Sequence, residues 1–106
     1  MELKSVGEVV ARRDLYILND EEPNQDVVVL IGKPQSIPDL RDFYCPYQIL
    51  GAGESKVRYA GGVDAVQAIQ LALKAIETDL ATLNEKCGRK LRWLSGEVPG
   101  LGFSAG

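Results

Sequence analysis

The stretch DAVQAIQLALKAIETDLATLNEK, residues 64–86, decides the fold because it combines a long helical period with well-marked ends. Six large apolar residues recur at alternating steps of three and four, which places them on one side of a helix. They are Val66, Ile69, Leu73, Ile76, Leu80 and Leu83. The stripe predicts a helix over residues 64–86 that packs on a sheet. We expect the following side chains to be nearly buried: Ile69, Leu73, Ile76 and Leu80.

Both ends of this helix carry boundary signals. Asp64 is a suitable N-cap, and Gln67 three residues later completes a capping-box pattern. Val63 and Ala68 fit the hydrophobic staple of the same turn. Gly88 is a natural left-handed stop after the last turn. These signals indicate that Asp64 is a structural cap and not a catalytic carboxylate.

The composition is that of an ordinary globular domain. The chain has 106 residues, of which 45% are hydrophobic and 25% are charged, so we expect residues 1–106 to form one domain. The formal net charge of −3 argues against a general affinity for nucleic acid or anionic lipid. The sequence contains no apolar run of the about 18 residues that a membrane span needs, and no recognisable signal peptide. The expected location is therefore the cytoplasm.

Residues that commonly carry catalysis or bind metals are scarce. Histidine is absent, which removes the commonest general base and metal ligand. Cys45 and Cys87 form no CxxC pair, so we expect free, reduced thiols. The segment GAGESK, residues 51–56, resembles a phosphate-binding loop, but it lies between two strand-like segments rather than before a helix. We interpret it as a hairpin turn and expect no cofactor and no metal.

Short β-branched or alternating segments precede the helix. The predicted strands are residues 8–18, 27–32, 43–50 and 55–60, with 89–94 as a further short strand or extended segment. Residues 33–42 contain two prolines and are predicted to be a surface connection. In the fourth strand we expect Val57 and Tyr59 to face the helix and Arg58 to face outward. This order predicts an α+β fold, an antiparallel meander of about four strands with the helix across one face.

The opposite face of this sheet is too apolar to remain in water. Its expected members are Val10, Tyr16, Leu18, Val28, Leu30, Tyr44 and Leu50. Either the C-terminal segment folds back over this face with Trp93, Leu94, Leu101 and Phe103, or a second subunit covers it. Val98 is a further apolar residue of the tail that could dock. Because the glycines of the tail make it costly to order, we expect a homodimer with the tail at the rim.

Two groups of residues are candidates for function. The candidate pocket residues are Cys45, Tyr47, Tyr59 and Trp93, although aromatic residues in so small a domain usually belong to the core. The candidate contacts for a partner protein are Leu71, Lys90 and Arg92. Leu71 lies off the apolar stripe among alanines, and the two basic residues belong to a cluster after the helix. That cluster has a structural alternative, since cations complement the dipole at a helix C-terminus.

Three segments carry a resemblance to a known family: CPYQILGAG at residues 45–53, GGVDAVQAIQLAL at 61–73 and LRWLSGEVPGLGF at 91–103. In these segments the chain resembles a family of small uncharacterised bacterial proteins that share a domain of unknown function. The resemblance covers most of the chain and implies a bacterial, stand-alone, soluble protein. It implies no activity and no functional residues.

Two functions from different classes remain open. The one we favour is a non-catalytic module of a bacterial cytoplasm that binds another protein, with a homodimer as its expected state. The alternative is a small-ligand-binding domain or minor enzyme whose pocket lies between helix and sheet. The missing histidine and the lack of a nucleophile–base pair in the sequence favour the first.

Overall fold

The computed structural model describes residues 1–53, 55–96 and 101–103. One helix, α1, spans Ala65–Lys86 and packs on an antiparallel sheet. The six strands in this part of the chain are β1 Val9–Ile17, β2 Gln25–Gly32, β3 Gln35–Ser36, β4 Phe43–Leu50, β5 Val57–Gly62 and β6 Leu91–Trp93. The predicted α+β class is confirmed. Within the described ranges, no helix has the length and apolar character that a membrane crossing requires.

The sheet has more strands than the sequence predicted. Its order is β5–β4–β2–β1–β6. β3 pairs with the first residues of β4, on the same side of β4 as β2. β1, β2, β4 and β5 are the four expected strands, and β6 adds to the edge of β1. β3 lies in the segment predicted to be a surface connection. Pro34 and Pro38 flank it and cannot donate ladder hydrogen bonds, so this pairing is short.

The helix begins and ends as its sequence predicts. Asp64 is the N-cap, and its side chain accepts a hydrogen bond from the Gln67 amide at 2.8 Å. The Gln67 side chain accepts a hydrogen bond from the Val63 amide at 2.8 Å, one residue before the position that a capping box uses. After the last turn, Gly88 has a φ of 73°, the left-handed conformation expected there.

The buried face of the helix matches the predicted stripe only in its second half, where the predicted burial of Ile76 and Leu80 is confirmed. Its buried side chains are Ala68, Ala72, Ile76 and Leu80. Val66 is 64% exposed and Ile69 is 37% exposed, so the predicted burial of Ile69 was wrong, and Leu73 is only partly buried. Gly62 gives the reason, because a β-carbon there would lie 2.5 Å from the amide nitrogen of Ala68. The first turns of α1 approach β5 so closely that small residues are needed beneath them.

The core between α1 and the sheet also holds alternate residues of the strands. These are Leu15, Val27, Val29, Cys45, Tyr47 and Leu91. Leu101 and Phe103 of the tail pack against this core. The Arg13 guanidinium lies 4.0 Å from the ring centroid of Trp93 and 4.6 Å from that of Phe103, and it donates to the Leu101 carbonyl at 2.9 Å. These contacts explain a charged residue on an otherwise apolar face of β1.

The face of the sheet away from α1 is covered in part by the first residues of the chain. Val6 is buried, and its carbonyl and the Pro46 ring both stand against Gly32. Trp93, Leu101 and Phe103 pack on the helix side instead. Leu94 is exposed, so the predicted cover by these residues was wrong. Val98 lies outside the described residues. The partly buried members of this face are Tyr16, Val28, Leu30, Tyr44 and Leu50, while Val10 and Leu18 are exposed.

Candidate functional site

A pocket opens between the C-terminal half of α1 and strands β4 and β5, and we call it the helix–sheet pocket. Its volume is about 300 Å³, at the lower end of the range for small-molecule sites. The lining residues are Tyr47, Ile49, Ala52, Gly53, Lys56, Arg58, Asp79, Thr82, Leu83 and Lys86. Ile49, Ala52 and Leu83 pack against the core and form an apolar inner wall. The charged side chains lie around this wall.

A buried tyrosine and a helix carboxylate form the polar centre of the pocket. Tyr47 lies on the helix-facing side of β4, and its hydroxyl donates a hydrogen bond to Oδ2 of Asp79 at 2.8 Å. Burial raises the pKa of the Tyr47 hydroxyl, and the hydrogen bond to the Asp79 carboxylate raises that pKa further. Tyr47 is therefore a neutral donor that holds Asp79 in place.

Arg58 reaches the same carboxylate from the neighbouring strand. It pairs with Tyr47 across the β4–β5 ladder, so both side chains lie on the face that carries α1. Its Nε lies 3.9 Å from Oδ2 of Asp79. The predicted faces of β5 were therefore wrong: Arg58 and Ala60 face the helix, and Tyr59 faces away. Small residues on the helix-facing side of β5 allow the close approach of α1.

Two lysines stand at the edge of the helix–sheet pocket without partners in the described part of the chain. Lys56 precedes β5, and Lys86 is the last residue of α1. Both are exposed, and neither forms a hydrogen bond or ion pair among the residues that the structure describes. Among the described lining residues, Lys56, Arg58 and Lys86 are cationic and Asp79 is the one carboxylate, in a chain of net charge −3. The charge of these described residues is thus opposite in sign to that of the whole protein.

The four candidate pocket residues do not come together. Tyr47 lines the helix–sheet pocket, whereas Cys45 is fully buried in the core, where burial raises the pKa of its thiol. Tyr59 lies on the opposite face of the sheet, where its ring meets that of Tyr44 edge to face with centroids 6.1 Å apart. Trp93 lies on β6, beyond β2 and β1. Cys45 and Cys87 are both free, as predicted.

The three candidate partner contacts are also separate from one another. Leu71 is exposed on α1, whereas Lys90 directly precedes β6 and Arg92 lies within it. The Lys90 ammonium lies 4.0 Å from Asp20, and the Arg92 guanidinium donates to the carbonyls of Arg89 and Leu91. The predicted basic cluster, which consists of Lys86, Arg89, Lys90 and Arg92, is therefore divided. Lys86 lines the helix–sheet pocket, Arg89 and Arg92 bond to nearby residues of the chain, and Lys90 lies beside Asp20.

Of the charged pocket residues that the sequence analysis did not identify, one could have been recognised from its position in the sequence. Asp79 stands three residues after Ile76 and four before Leu83, on the side of the helical period that faces the sheet. A carboxylate in that position requires a partner, which here is Tyr47. Lys56, Arg58 and Lys86 carried no such signal. In the described ranges, no three cysteine or carboxylate side chains are grouped so that they could hold a metal ion.

Comparisons with known proteins place the chain in a family. No curated protein and no solved structure matches it. A family model described as a domain of unknown function (DUF6968) matches residues 11–105. This match confirms the predicted resemblance to a family of that kind, while the bacterial origin stays a prediction. Because the match spans nearly the whole chain, the protein belongs to the DUF6968 family.

Proposed function

We propose that this protein is a binding module whose helix–sheet pocket holds a small molecule. The sequence favoured a protein-interaction module, and the pocket geometry moves the small-ligand alternative to first place. The observation that carries the proposal is an apolar inner wall combined with fixed polar groups in one concave site. This combination is typical of small-molecule sites, in which apolar contacts supply affinity and a few polar groups orient the ligand.

The Tyr47–Asp79 pair supports binding rather than catalysis. The hydroxyl of Tyr47 is held as a donor to Asp79, and its raised pKa keeps it protonated at neutral pH. Cys45 on β4 is buried in the core and does not line the pocket, and its pKa is also raised, so it is not a thiolate nucleophile. These groups therefore favour a module that orients a ligand without reacting with it.

A fragment titration followed by amide NMR spectra tests this proposal. We expect fragments that bind to shift the backbone amides of Lys56, Arg58, Asp79 and Lys86. Thr82→Trp should fill the pocket and abolish those shifts. Thr78→Trp is the matched control, because Thr78 is an exposed residue one turn earlier that does not line the pocket. Its hydroxyl donates to the carbonyl four residues before it, as that of Thr82 does. Binding that survives Thr82→Trp unchanged, or a fragment set that shifts none of these amides, would contradict the proposal.

The second candidate function is a protein-interaction module of a bacterial cytoplasm that forms a homodimer. Its support is the sheet face away from α1, where Val10 and Leu18 remain exposed beside partly buried apolar neighbours. Exposed apolar surface of this kind marks interaction sites, and a second copy of the chain is the occupant we propose. The free cysteines agree with a reducing compartment.

Light scattering coupled to size exclusion tests the homodimer. We expect a dimer at tens of micromolar protein, and we expect Leu18→Lys to shift it toward the monomer. Leu40→Lys is the control, because Leu40 is also exposed but lies in the connection between β3 and β4. A wild-type chain that elutes as a monomer, or a Leu40→Lys variant that dissociates equally, would count against this candidate.

A further inference from the structure

Two lysines without a partner among the described residues line the helix–sheet pocket, one from the sheet side and one from the helix side. Lys56 belongs to the sheet wall, just before β5, and Lys86 belongs to the helix wall, at the last position of α1. Two ammonium groups on facing walls of one pocket repel each other unless an anion lies between them. Neither has a partner among the residues that the structure describes. An anionic group of a ligand would interact favourably with both.

The Asp79 carboxylate does not cancel this preference. Oδ2 of Asp79 accepts a hydrogen bond from Tyr47, and the Arg58 guanidinium lies 3.9 Å from the same oxygen. The Asp79 carboxylate therefore already has two partners within the protein. The C-terminal dipole of α1 opposes an anion near Lys86, but that effect is weak at an exposed helix end and is screened by salt.

The inner wall sets the second requirement for the ligand. Ile49, Ala52 and Leu83 are partly buried and present apolar surface toward the pocket. An inorganic anion would leave that surface in water, and a neutral hydrocarbon would leave Lys56 and Lys86 without a counter-charge. The volume of about 300 Å³ restricts the site to a small compound.

Resting on the function proposed above, we propose that the helix–sheet pocket binds a small organic acid. Its carboxylate lies between Lys56 and Lys86, and its apolar body lies against Ile49 and Leu83. An exposed ion pair changes affinity by about 1.5- to 5-fold, so two such pairs predict a preference of about 2- to 25-fold for an acid over its neutral analogue. The preference should shrink as salt is added, because both lysines are exposed.

Three compounds of six carbon atoms each separate this inference from the proposed function. Hexanoate, hexanamide and hexylammonium are each titrated against the full chain and followed by the pocket amides. We expect hexanoate to bind most tightly and hexylammonium most weakly. If hexanamide binds as tightly as hexanoate, the organic-acid inference is overturned while the pocket remains a small-ligand site. If no compound of the three or of the fragment set shifts the pocket amides, the proposed function fails as well.

Charge-removing variants identify the groups responsible. Lys56→Gln and Lys86→Gln should each weaken hexanoate binding by about 1.5- to 5-fold, and the double variant should bind hexanoate and hexanamide equally. Lys74→Gln is the matched control, since Lys74 is exposed on the same helix and does not line the pocket. A preference for hexanoate that survives in the double variant, or an equal loss in Lys74→Gln, would overturn the assignment.

Discussion

Truncation of two isoleucines in α1 tests which face of the helix is buried. Ile69→Ala and Ile76→Ala remove the same atoms from the same helix, two turns apart. Ile76 has no exposed surface, whereas Ile69 is 37% exposed. The sequence stripe predicts similar losses at both positions, because it places both side chains against the sheet. The structure predicts a large difference between them.

The magnitudes follow from burial. Ile76 lies in the core beside residues such as Val29 and Leu80, so Ile76→Ala leaves a cavity and should lower the free energy of unfolding by about 2–5 kcal/mol. Ile69→Ala removes surface that is partly hydrated already and leaves no closed cavity. The higher helix propensity of alanine returns a few tenths of a kcal/mol. We expect a net loss of about 1 kcal/mol or less at Ile69.

Urea unfolding followed by far-ultraviolet circular dichroism measures both losses. The comparison requires that the slope of free energy against urea stays the same in wild type and variants, so that the midpoints report stability alone. Equal losses for Ile69→Ala and Ile76→Ala, or a larger loss at Ile69, would refute the argument. Such a result would mean that the predicted stripe faces the sheet and that the close approach at Gly62 does not set the rotation of α1.

Three further changes test other parts of the fold. Gly62→Ala should lower the free energy of unfolding by about 1–3 kcal/mol, because the new methyl group would meet the backbone of Ala68. An unchanged urea midpoint would contradict that contact. Asp64→Ala should cost about 0.5–2 kcal/mol, and Asp64→Asn should recover most of it because its amide oxygen accepts the same cap hydrogen bond. A loss in Asp64→Asn as large as in Asp64→Ala would indicate another role. Tyr47→Phe removes the hydrogen bond to Asp79 and should cost about 0.5–1.5 kcal/mol at neutral pH. The folded protein raises the pKa of Tyr47 above its ordinary value of about 10. The stability that comes from the Tyr47 hydroxyl is therefore present below about pH 10 and is lost as the pH rises above it. A stability profile above pH 10 that falls equally in wild type and Tyr47→Phe would exclude this linkage.

Only some residues of the helix–sheet pocket could be identified from the sequence. Tyr47 was recognised because it alternates with apolar residues on a strand. Asp79 could also have been recognised, since a carboxylate on the sheet-facing side of a helical period needs a buried partner. Arg58 could not, because a shift of one residue in strand pairing exchanges the two faces of a strand. Only the pairing of Tyr47 with Arg58 decides which face of β5 meets the helix.

The sequence by itself determined the local elements of this protein. The helix, its Asp64 cap and its Gly88 stop, and the four main strands follow from interactions between residues close in the chain. Such signals are local because caps depend on hydrogen bonds within one turn, and strand patterns depend on alternation within a few residues.

Only the tertiary structure decided how those elements face one another. The rotation of α1 depends on Gly62 and Ala68, which belong to different elements. Their close approach leaves no space between β5 and the first turns of α1 for the larger stripe residues Val66 and Ile69. The cover over Gly32 comes from Val6, more than twenty residues earlier in the chain. The pocket likewise joins Tyr47, Lys56 and Lys86 from one strand, one turn and one helix end. Periodicity shows which faces of an element are apolar, but the space available between backbones selects the one that is buried.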